Sequence, residues 1–234
     1  EIEMKIYLFD TLSKKKKEFI PIDDQNVRIY ACGPTVYNFA HLGNARMAVV
    51  TDLLVRVLKQ KYKKVTFISN ITDIDDKIIE AAKEQNVTIG ELTNKYHLIY
   101  NQDMESLGVS LPTFQPKATD YIADMIDLIK VLVDNKCAYE SDGNILFDTN
   151  SYKYYGVLSK RVMNDQKTGT RIKKADYKRN VNDFILWKPS SKNEPGWNSP
   201  WGLGRPGWHI ECSAMSKKCL GFPFDIHCGG VDLT

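Results

Sequence analysis

Apolar residues in the first third of the chain follow two different periods. Residues 27–31 and 65–69 are short runs rich in β-branched and aromatic side chains, which is typical of buried strands. Between them, apolar residues recur three and four positions apart, at Met47, Val50, Leu54 and Val57. This spacing predicts an amphipathic helix over residues 45–61. A strand, a helix and a second strand in this order cross over right-handedly, so we expect the two strands to pair in parallel.

The carboxyl ends of the two predicted strands lie side by side in such a unit. Residues 32–35 and 70–72 therefore share one edge of the sheet, which is the edge where open α/β sheets bind ligands. Two more helices are predicted over residues 75–85 and 91–107. Glycine and proline at positions 108 and 112 end this half of the chain.

The pattern changes after residue 113. A helix leads into short β-like pieces near residues 138–139 and 145–148, with Asp142 and Gly143 as the turn of a hairpin. Residues 160–178 are polar and basic, which predicts a mobile loop. Residues 189–207, rich in proline, glycine, serine and tryptophan, are expected to return the chain to the parallel sheet.

We therefore predict an α/β fold with a Rossmann-like parallel sheet that is split by an α+β insertion. The first half of the sheet domain is expected in residues 1–112, the insertion in residues 113–199, and the start of the second half in residues 200–234.

Composition bounds the class of protein. The chain has 234 residues and 43% hydrophobic content, enough for a sizeable core in one or two domains. Its 32 basic and 29 acidic side chains leave a net charge of only +3, so any contact with RNA must be local. The basic run at residues 14–17 is interpreted as a solvated hairpin or loop.

The five cysteines form neither a CxxC pair nor an even framework of the kind that secreted domains use. They lie at positions 32, 137, 212, 219 and 228. A reducing, cytoplasmic location fits this pattern. No signal peptide is visible, and no uncharged run approaches the roughly 20 residues that span a bilayer, so no membrane partner is expected.

One stretch combines a strand end, a glycine turn and a helix start. Residues 30–46 read YACGPTVYNFAHLGNAR, which places His41, Gly43 and Asn44 at or just before the helix N-terminus. Unpaired N–H groups and the helix dipole favour anions at such a position, and a triphosphate is one candidate. The absence of a Cβ at Gly43 permits close approach of a base or phosphate. Taken alone, these residues are more typical of an ordinary capped turn than of a nucleotide site.

The full string is more specific. It resembles the signature of the class I aminoacyl-tRNA synthetases, and within that class the cysteinyl-tRNA synthetases. Three further segments resemble the same family in the same order: NITDIDDK at 70–77, WGLGRPGWHIECSAM at 201–215 and FDIHCGGVDL at 224–233. The insertion is similar to the connective peptide of that class.

This resemblance implies a reaction and its substrates. The family activates L-cysteine with ATP and Mg²⁺ to cysteinyl-adenylate and transfers the cysteinyl group to tRNA(Cys). By resemblance, His41 and Asn44 are the catalytic residues that contact the phosphates, and Gly43 packs under adenine. Gly230 and Asp232 complete the ATP site, with Asp232 at the ribose. Many family members have a second histidine where this chain has Asn44, which can donate a hydrogen bond but carries no charge.

The resemblance also implies an amino-acid pocket and a metal. Gly33, Thr35, Thr72 and Trp208 are expected to shape the pocket, although Thr72 can instead cap the following helix and Trp208 can belong to the core. Cys32 and Cys212 are the expected ligands of one Zn²⁺ ion. Without the resemblance, both cysteines read as small buried hydrophobes.

Other metal candidates were weighed against simpler interpretations. The neighbouring acids Asp73, Asp75 and Asp76 suggest a magnesium site, but a negatively charged helix start explains them more economically. The remaining candidates, His209, Cys219, His227 and Cys228, match no family ligand and are left unassigned. The family places the last two zinc ligands, a KMSKS loop and an anticodon-binding region after a position equivalent to residue 234.

Two other functions remain open from the sequence. A ligase that joins cysteine to an amino sugar, as in mycothiol biosynthesis, uses the same adenylate chemistry. A zinc-dependent binding module without turnover is the alternative outside enzymes, although it has no need of a nucleotide site. A monomer is expected.

Overall fold

The computed structural model describes residues 4–159 and 175–230. These divide into two compact units. The first unit contains Glu1–Asp10, Lys15–Asp120 and Met215–Leu233, and the second contains Thr11–Lys14 and Tyr121–Ala214. Most of the 160–178 segment that was predicted to be a loop lies outside the described residues.

The first unit holds most of the helices. Its elements are β1 (Tyr7–Asp10), β2 (Lys15–Glu18), β3 (Val27–Ala31), α1 (Leu42–Lys61), β4 (Val65–Ser69), α2 (Asp76–Gln85), α3 (Ile89–Ser106) and, after the second unit, β10 (Ile226–Cys228). The helix α5 (Trp208–Leu220) begins in the second unit and ends in the first.

A three-stranded parallel sheet in the order β10-β3-β4 forms the centre of this unit. The two strands predicted from the sequence have the predicted bounds, and their parallel pairing is confirmed by the register of Val27 with Val65. The inner face of α1 covers the sheet through Val55 and Leu58, which pack with Val27 and Ile29. Burial of these apolar side chains supplies the main stabilisation of the unit.

The second unit contains an antiparallel sheet in the order β5-β6-β7-β9-β8. The elements of this unit are α4 (Ile122–Asp134), β5 (Ala138–Ser141), β6 (Asn144–Phe147), β7 (Phe184–Pro189), β8 (Trp197–Ser199) and β9 (Gly202–Pro206). The predicted hairpin is present, because Asp142 and Gly143 both have positive φ, 49° and 73°, as a two-residue type I′ turn requires.

The segment from 189 to 207 differs from the expectation. Instead of leading straight back to the parallel sheet, it forms β8 and β9, and β9 pairs antiparallel with β7. β8 has only three residues and β9 carries two glycines, so neither shows the alternating pattern by which a strand is recognised. Gly204 is required there, because a Cβ would overlap the indole nitrogen of Trp187.

A buried carboxylate ties the second unit together. Asp183 is 1% exposed and accepts hydrogen bonds from the Tyr139 hydroxyl (2.7 Å), from the Thr149 amide and hydroxyl (3.0 and 2.9 Å) and from the Asn180 amide (2.9 Å). Burial alone raises the pKa of Asp183, but these hydrogen bonds outweigh it and leave the pKa below its ordinary value. The carboxylate therefore holds together residues that are more than thirty positions apart.

We expect Asp183→Asn to lower the free energy of unfolding by about 2–3 kcal/mol, because hydrogen bonds to a charged acceptor are lost. Since the folded pKa is depressed, the contribution of Asp183 is complete above its unfolded pKa, near 4, and is lost as the pH falls through the folded pKa. Urea unfolding at pH 7 and pH 3 measures both effects. The exposed Asp176→Asn is the matched control and should change stability by less than about 0.5 kcal/mol.

Candidate active site at the carboxyl edge of the parallel sheet

Three loops of the first unit meet where the parallel strands end. The loop after β3 pairs with the loop after β4 through a bridge between Thr35 and Thr72. The Val36 amide donates to the Thr72 carbonyl (3.2 Å), and the Thr72 amide donates to the Pro34 carbonyl (3.0 Å). The Cys32 amide donates to the carbonyl of Cys228 at the end of β10 (3.2 Å). The structure thus brings the predicted pocket residues of this unit together.

Asn70 organises this edge, and the sequence reasoning assigned it no role of its own. Its side-chain oxygen accepts hydrogen bonds from the Tyr30 hydroxyl and from the Gly33 amide, both at 3.0 Å. Its amino group donates to the Thr72 hydroxyl (3.3 Å). Asn70 is 1% exposed, Thr72 2% and Tyr30 0%, so the network is sealed from water. The only sequence signal was an asparagine directly after a buried strand.

Two alternative interpretations of residues near this edge can now be decided. Thr72 does not cap the following helix, because the cap of α2 is Asp75, whose carboxylate accepts from the Lys77 amide (2.9 Å). Asp73 accepts hydrogen bonds from the amide and hydroxyl of Thr119, at 2.9 and 2.6 Å. These acids thus have structural partners, which agrees with the helix-start interpretation.

His41 is the N-cap of α1, so the helix begins three residues earlier than predicted. Its Nδ1 accepts a hydrogen bond from the Gly43 amide (3.0 Å), and the Asn44 side-chain oxygen accepts one from the His41 amide (3.0 Å). A ring nitrogen that accepts carries no proton, so the neutral ring has its proton on Nε2. The first turn of α1 contains no acidic residue. The imidazole N–H donor and the positive end of the helix dipole therefore coincide at this exposed corner, which suits an anion.

The thiol of Cys32 lies next to an imidazole. Its Sγ is 3.7 Å from Nε2 of His227, a residue of β10 that the sequence reasoning left unassigned. Sulfur and imidazole nitrogen are both donors that Zn²⁺ accepts. Burial raises the pKa of the neighbouring Cys228 to about 11, which disfavours its thiolate. Within residues 4–159 and 175–230 no group of three or more potential metal ligands converges.

The remaining predicted site residues lie on α5 and after β10. Trp208 and Cys212 are four positions apart on α5, so they project from the same side of that helix. Trp208 is 48% exposed, which rules out the interpretation that it belongs to the core, and its ring lies 5.2 Å from that of His209. Gly230 follows β10 directly, whereas Asp232 lies outside the described residues. None of the helices in the described part of the chain has the length and apolar character to cross a bilayer.

Comparison with known proteins was made at the level of sequence and of fold. The family model described as "tRNA synthetases class I (C) catalytic domain" matches residues 18–234. The chain is 54% identical over 229 residues to the cysteine-tRNA ligase of Maricaulis maris, covering 97% of this chain and 50% of that protein. It is 51% identical over 230 residues to the cysteine-tRNA ligase of Saccharophagus degradans, covering 98% and 50%. The chain thus spans about half the length of these curated relatives.

A solved structure shows the same fold at low sequence identity. The methionyl-tRNA synthetase of Mycobacterium tuberculosis, in complex with methionyl-adenylate, superposes with a TM-score of 0.62. The match covers 89% of this chain and 52% of that one at 13% identity. The predicted fold class of a split parallel sheet is confirmed by this likeness.

Gly33→Ala tests the close approach of the Gly33 backbone to Asn70 at the carboxyl edge. A Cβ at this position overlaps the carbonyl oxygen of Asn70, so we expect a loss of about 3 kcal/mol or more in the free energy of unfolding. Gly90→Ala is the matched control, because nothing lies within 4 Å of its added Cβ in α3. It should leave stability unchanged or raise it by about 0.5–1 kcal/mol. Equal stability of the two variants in denaturant titrations would contradict the close approach.

Proposed function

The chain belongs to the family of class I (C) tRNA synthetase catalytic domains, and on that basis we propose that it activates L-cysteine for protein synthesis. In the proposed reaction a carboxylate oxygen of cysteine attacks the α-phosphate of Mg²⁺-bound ATP. Cysteinyl-adenylate forms and pyrophosphate leaves. The cysteinyl group then passes to the 3′ end of tRNA(Cys). The observation that carries this proposal is the capped start of α1. His41 caps this helix through Nδ1, so its other ring nitrogen, Nε2, is not used by the cap.

The proposed role of this corner is to bind phosphate. Nδ1 of His41 is occupied by the Gly43 amide, so Nε2–H is the group that donates to a phosphate oxygen. The Asn44 oxygen is occupied by the His41 amide, which leaves its amino group as a second donor. Gly43 carries no side chain that blocks the approach of adenine. Because the protein contributes no covalent chemistry to this step, positioning and charge stabilisation must supply the rate.

Cys32 and Cys212 are the residues that would hold zinc. Zinc bound by thiolates favours one more sulfur ligand and stabilises it as the thiolate, so it prefers cysteine to serine. A pocket matched by shape alone separates such near-isosteres by only about 1–3 kcal/mol. The Cys32 thiol supports this assignment, because it lies at the carboxyl edge beside an imidazole and in the loop that Thr35 and Thr72 anchor.

Other parts of the proposal rest on the same family membership. Gly33, Thr35, Thr72 and Trp208 are proposed to line the amino-acid pocket, and Gly230 and Asp232 to contact the ribose. Residues 113–199 are proposed as the connective-peptide insertion between catalytic halves at 1–112 and 200–234. The printed names of the relatives favour tRNA over an amino sugar as the acceptor. We also propose a monomer, and we propose a cytoplasmic location because none of the five cysteines forms a disulfide.

His41→Asn separates catalysis from helix capping. Asparagine is a good N-cap, so the melting temperature should stay unchanged while the Nε2 donor is removed. We expect cysteine-dependent exchange between pyrophosphate and ATP, measured on the full-length protein, to fall by about 10²- to 10³-fold. His41→Ala should lose both the activity and about 1 kcal/mol of stability. An exchange rate within a few-fold of wild type in His41→Asn would remove this residue from the proposal.

Serine substitution of Cys32 and Cys212 tests whether these residues bind zinc. Zinc bound per full-length chain should fall from about one to near zero in Cys32→Ser and in Cys212→Ser, because the hydroxyl is a poor zinc ligand. Cys137→Ser is the control, since this thiol donates only to the Asn135 carbonyl in the second unit. Unchanged zinc content by elemental analysis in the first two variants would refute the assigned ligands.

A further inference from the structure

In the part of the chain that the structure describes, a short segment of the second unit exposes several tyrosine rings. Tyr152 is 53% exposed and Tyr154 is 54% exposed, and Tyr155 follows at 36%. Lys153 lies between the first two in sequence. We call the side chains of residues 152–155 the tyrosine surface. The proposed amino-acid activation uses none of them.

The backbone beneath the tyrosine surface is held by turns. The Tyr155 amide donates to the Tyr152 carbonyl (2.9 Å), and the Val157 amide donates to the Tyr154 carbonyl (3.1 Å). Gly156 has a φ of 82°, which allows the chain to reverse there. Burial and the nearby charge of Asp183 raise the pKa of Tyr155. The two outer tyrosines are therefore presented on a fixed base.

The exposed rings are arranged with a cation beside them. Tyr152 and Tyr154 meet edge to face, with 5.8 Å between ring centroids and an interplanar angle of 72°. The Lys153 Nζ lies 4.7 Å from the centroid of the Tyr154 ring. A ring face that stacks and an ammonium group that neutralises phosphate are thus available at one spot. Proteins that bind single-stranded nucleic acids combine these two features.

In the sequence, positive charge is concentrated in the segment that begins with the tyrosine surface. Residues 152–179 contain nine lysines and arginines against two acidic residues, whereas the rest of the chain contains 23 basic against 27 acidic residues. The near-neutral total therefore conceals a strongly basic segment. Such a segment attracts polyanions. Two copies of the chain would repel each other if they met through it.

We propose that the tyrosine surface binds unpaired bases of RNA by stacking on Tyr152 and Tyr154 while Lys153 contacts the backbone. This proposal rests on the proposed function, because the tRNA substrate proposed there would bring unpaired nucleotides to the protein. RNA fits better than an acidic protein segment, because its flat bases stack on exposed rings while its phosphates meet the ammonium group of Lys153. The surface comprises described residues alone, and the basic residues that follow it add attraction without forming part of it.

Binding of RNA by the full-length protein tests the proposal. The probe is an unstructured RNA of about 12 nucleotides, compared with a blunt duplex of equal length, and the readout is fluorescence anisotropy. The double variant Tyr152→Ala with Tyr154→Ala should bind the single strand at least about tenfold more weakly, since stacking contributes about 1–3 kcal/mol per base. The corresponding double Phe variant keeps the rings and should bind within about twofold of wild type.

Two controls identify the cause of any loss. Tyr7→Ala removes a tyrosine of similar exposure, 55%, from β1 and should leave binding unchanged. Heparin supplies polyanionic charge without bases, so its affinity should be the same in the double Ala variant and in wild type. Unweakened binding of the single strand by the double Ala variant would overturn the proposal. So would a parallel loss for heparin or for the duplex.

The test also distinguishes this proposal from the proposed function. The tyrosine variants should retain cysteine-dependent exchange of pyrophosphate with ATP, because no residue of the tyrosine surface belongs to the proposed ATP site. If the wild-type protein lacks that exchange, the proposed function fails, while RNA binding still reports on the surface. If exchange is normal and RNA binding ignores the tyrosines, only the surface proposal fails.

Discussion

Gly33 passes so close to the end of β4 that no side chain fits between its backbone and the Asn70 carbonyl, and this contact determines the shape of the carboxyl edge. The Asn70 carboxamide fixes the approach by accepting from the Gly33 amide and the Tyr30 hydroxyl and by donating to Thr72. A buried amide left without partners would cost about 1–3 kcal/mol, so each partner is needed for the others. This network therefore fixes the position of the loop after β3, which carries Cys32 and Thr35.

The start of α1 uses one side chain for two purposes. His41 satisfies an N–H group that every helix N-terminus leaves unpaired, and in doing so it selects the tautomer whose second nitrogen carries a proton. Asn44 completes the reciprocal bond to the His41 amide. A histidine at the position of Asn44 would offer the His41 amide a ring nitrogen in place of the carboxamide oxygen. With an uncharged asparagine here, the proposed phosphate binding relies on the helix dipole, the imidazole and the Asn44 amino group.

Local patterns predicted the parallel unit well and the antiparallel one poorly. The strands at 27–31 and 65–69 were recognisable because both are buried and apolar, and the turn at Asp142 and Gly143 because few residues tolerate positive φ. β8 has only three residues and β9 carries glycine at two of its five positions, so these strands are defined by pairing, β9 with β7 and β8 with β9. The hydrogen bonds of Asn70 and Asp183 could not be predicted, since their partners lie far away in sequence. Site residues such as Trp208 were identified by resemblance rather than by pattern.

The two proposed sites would recognise anions by physically different means. At the start of α1, no lysine or acidic residue stands in the first turn, and neutral N–H donors with a helix dipole face the ligand. Such fixed, short-range groups are selective because they must meet the ligand atoms at hydrogen-bond distance. Around Tyr152 and Tyr154, in contrast, the proposed RNA binding combines the ammonium group of Lys153, which attracts phosphate over about a Debye length, with rings that discriminate among polyanions. Salt weakens the second kind of recognition far more than the first, so one protein can hold a nucleotide firmly while RNA exchanges.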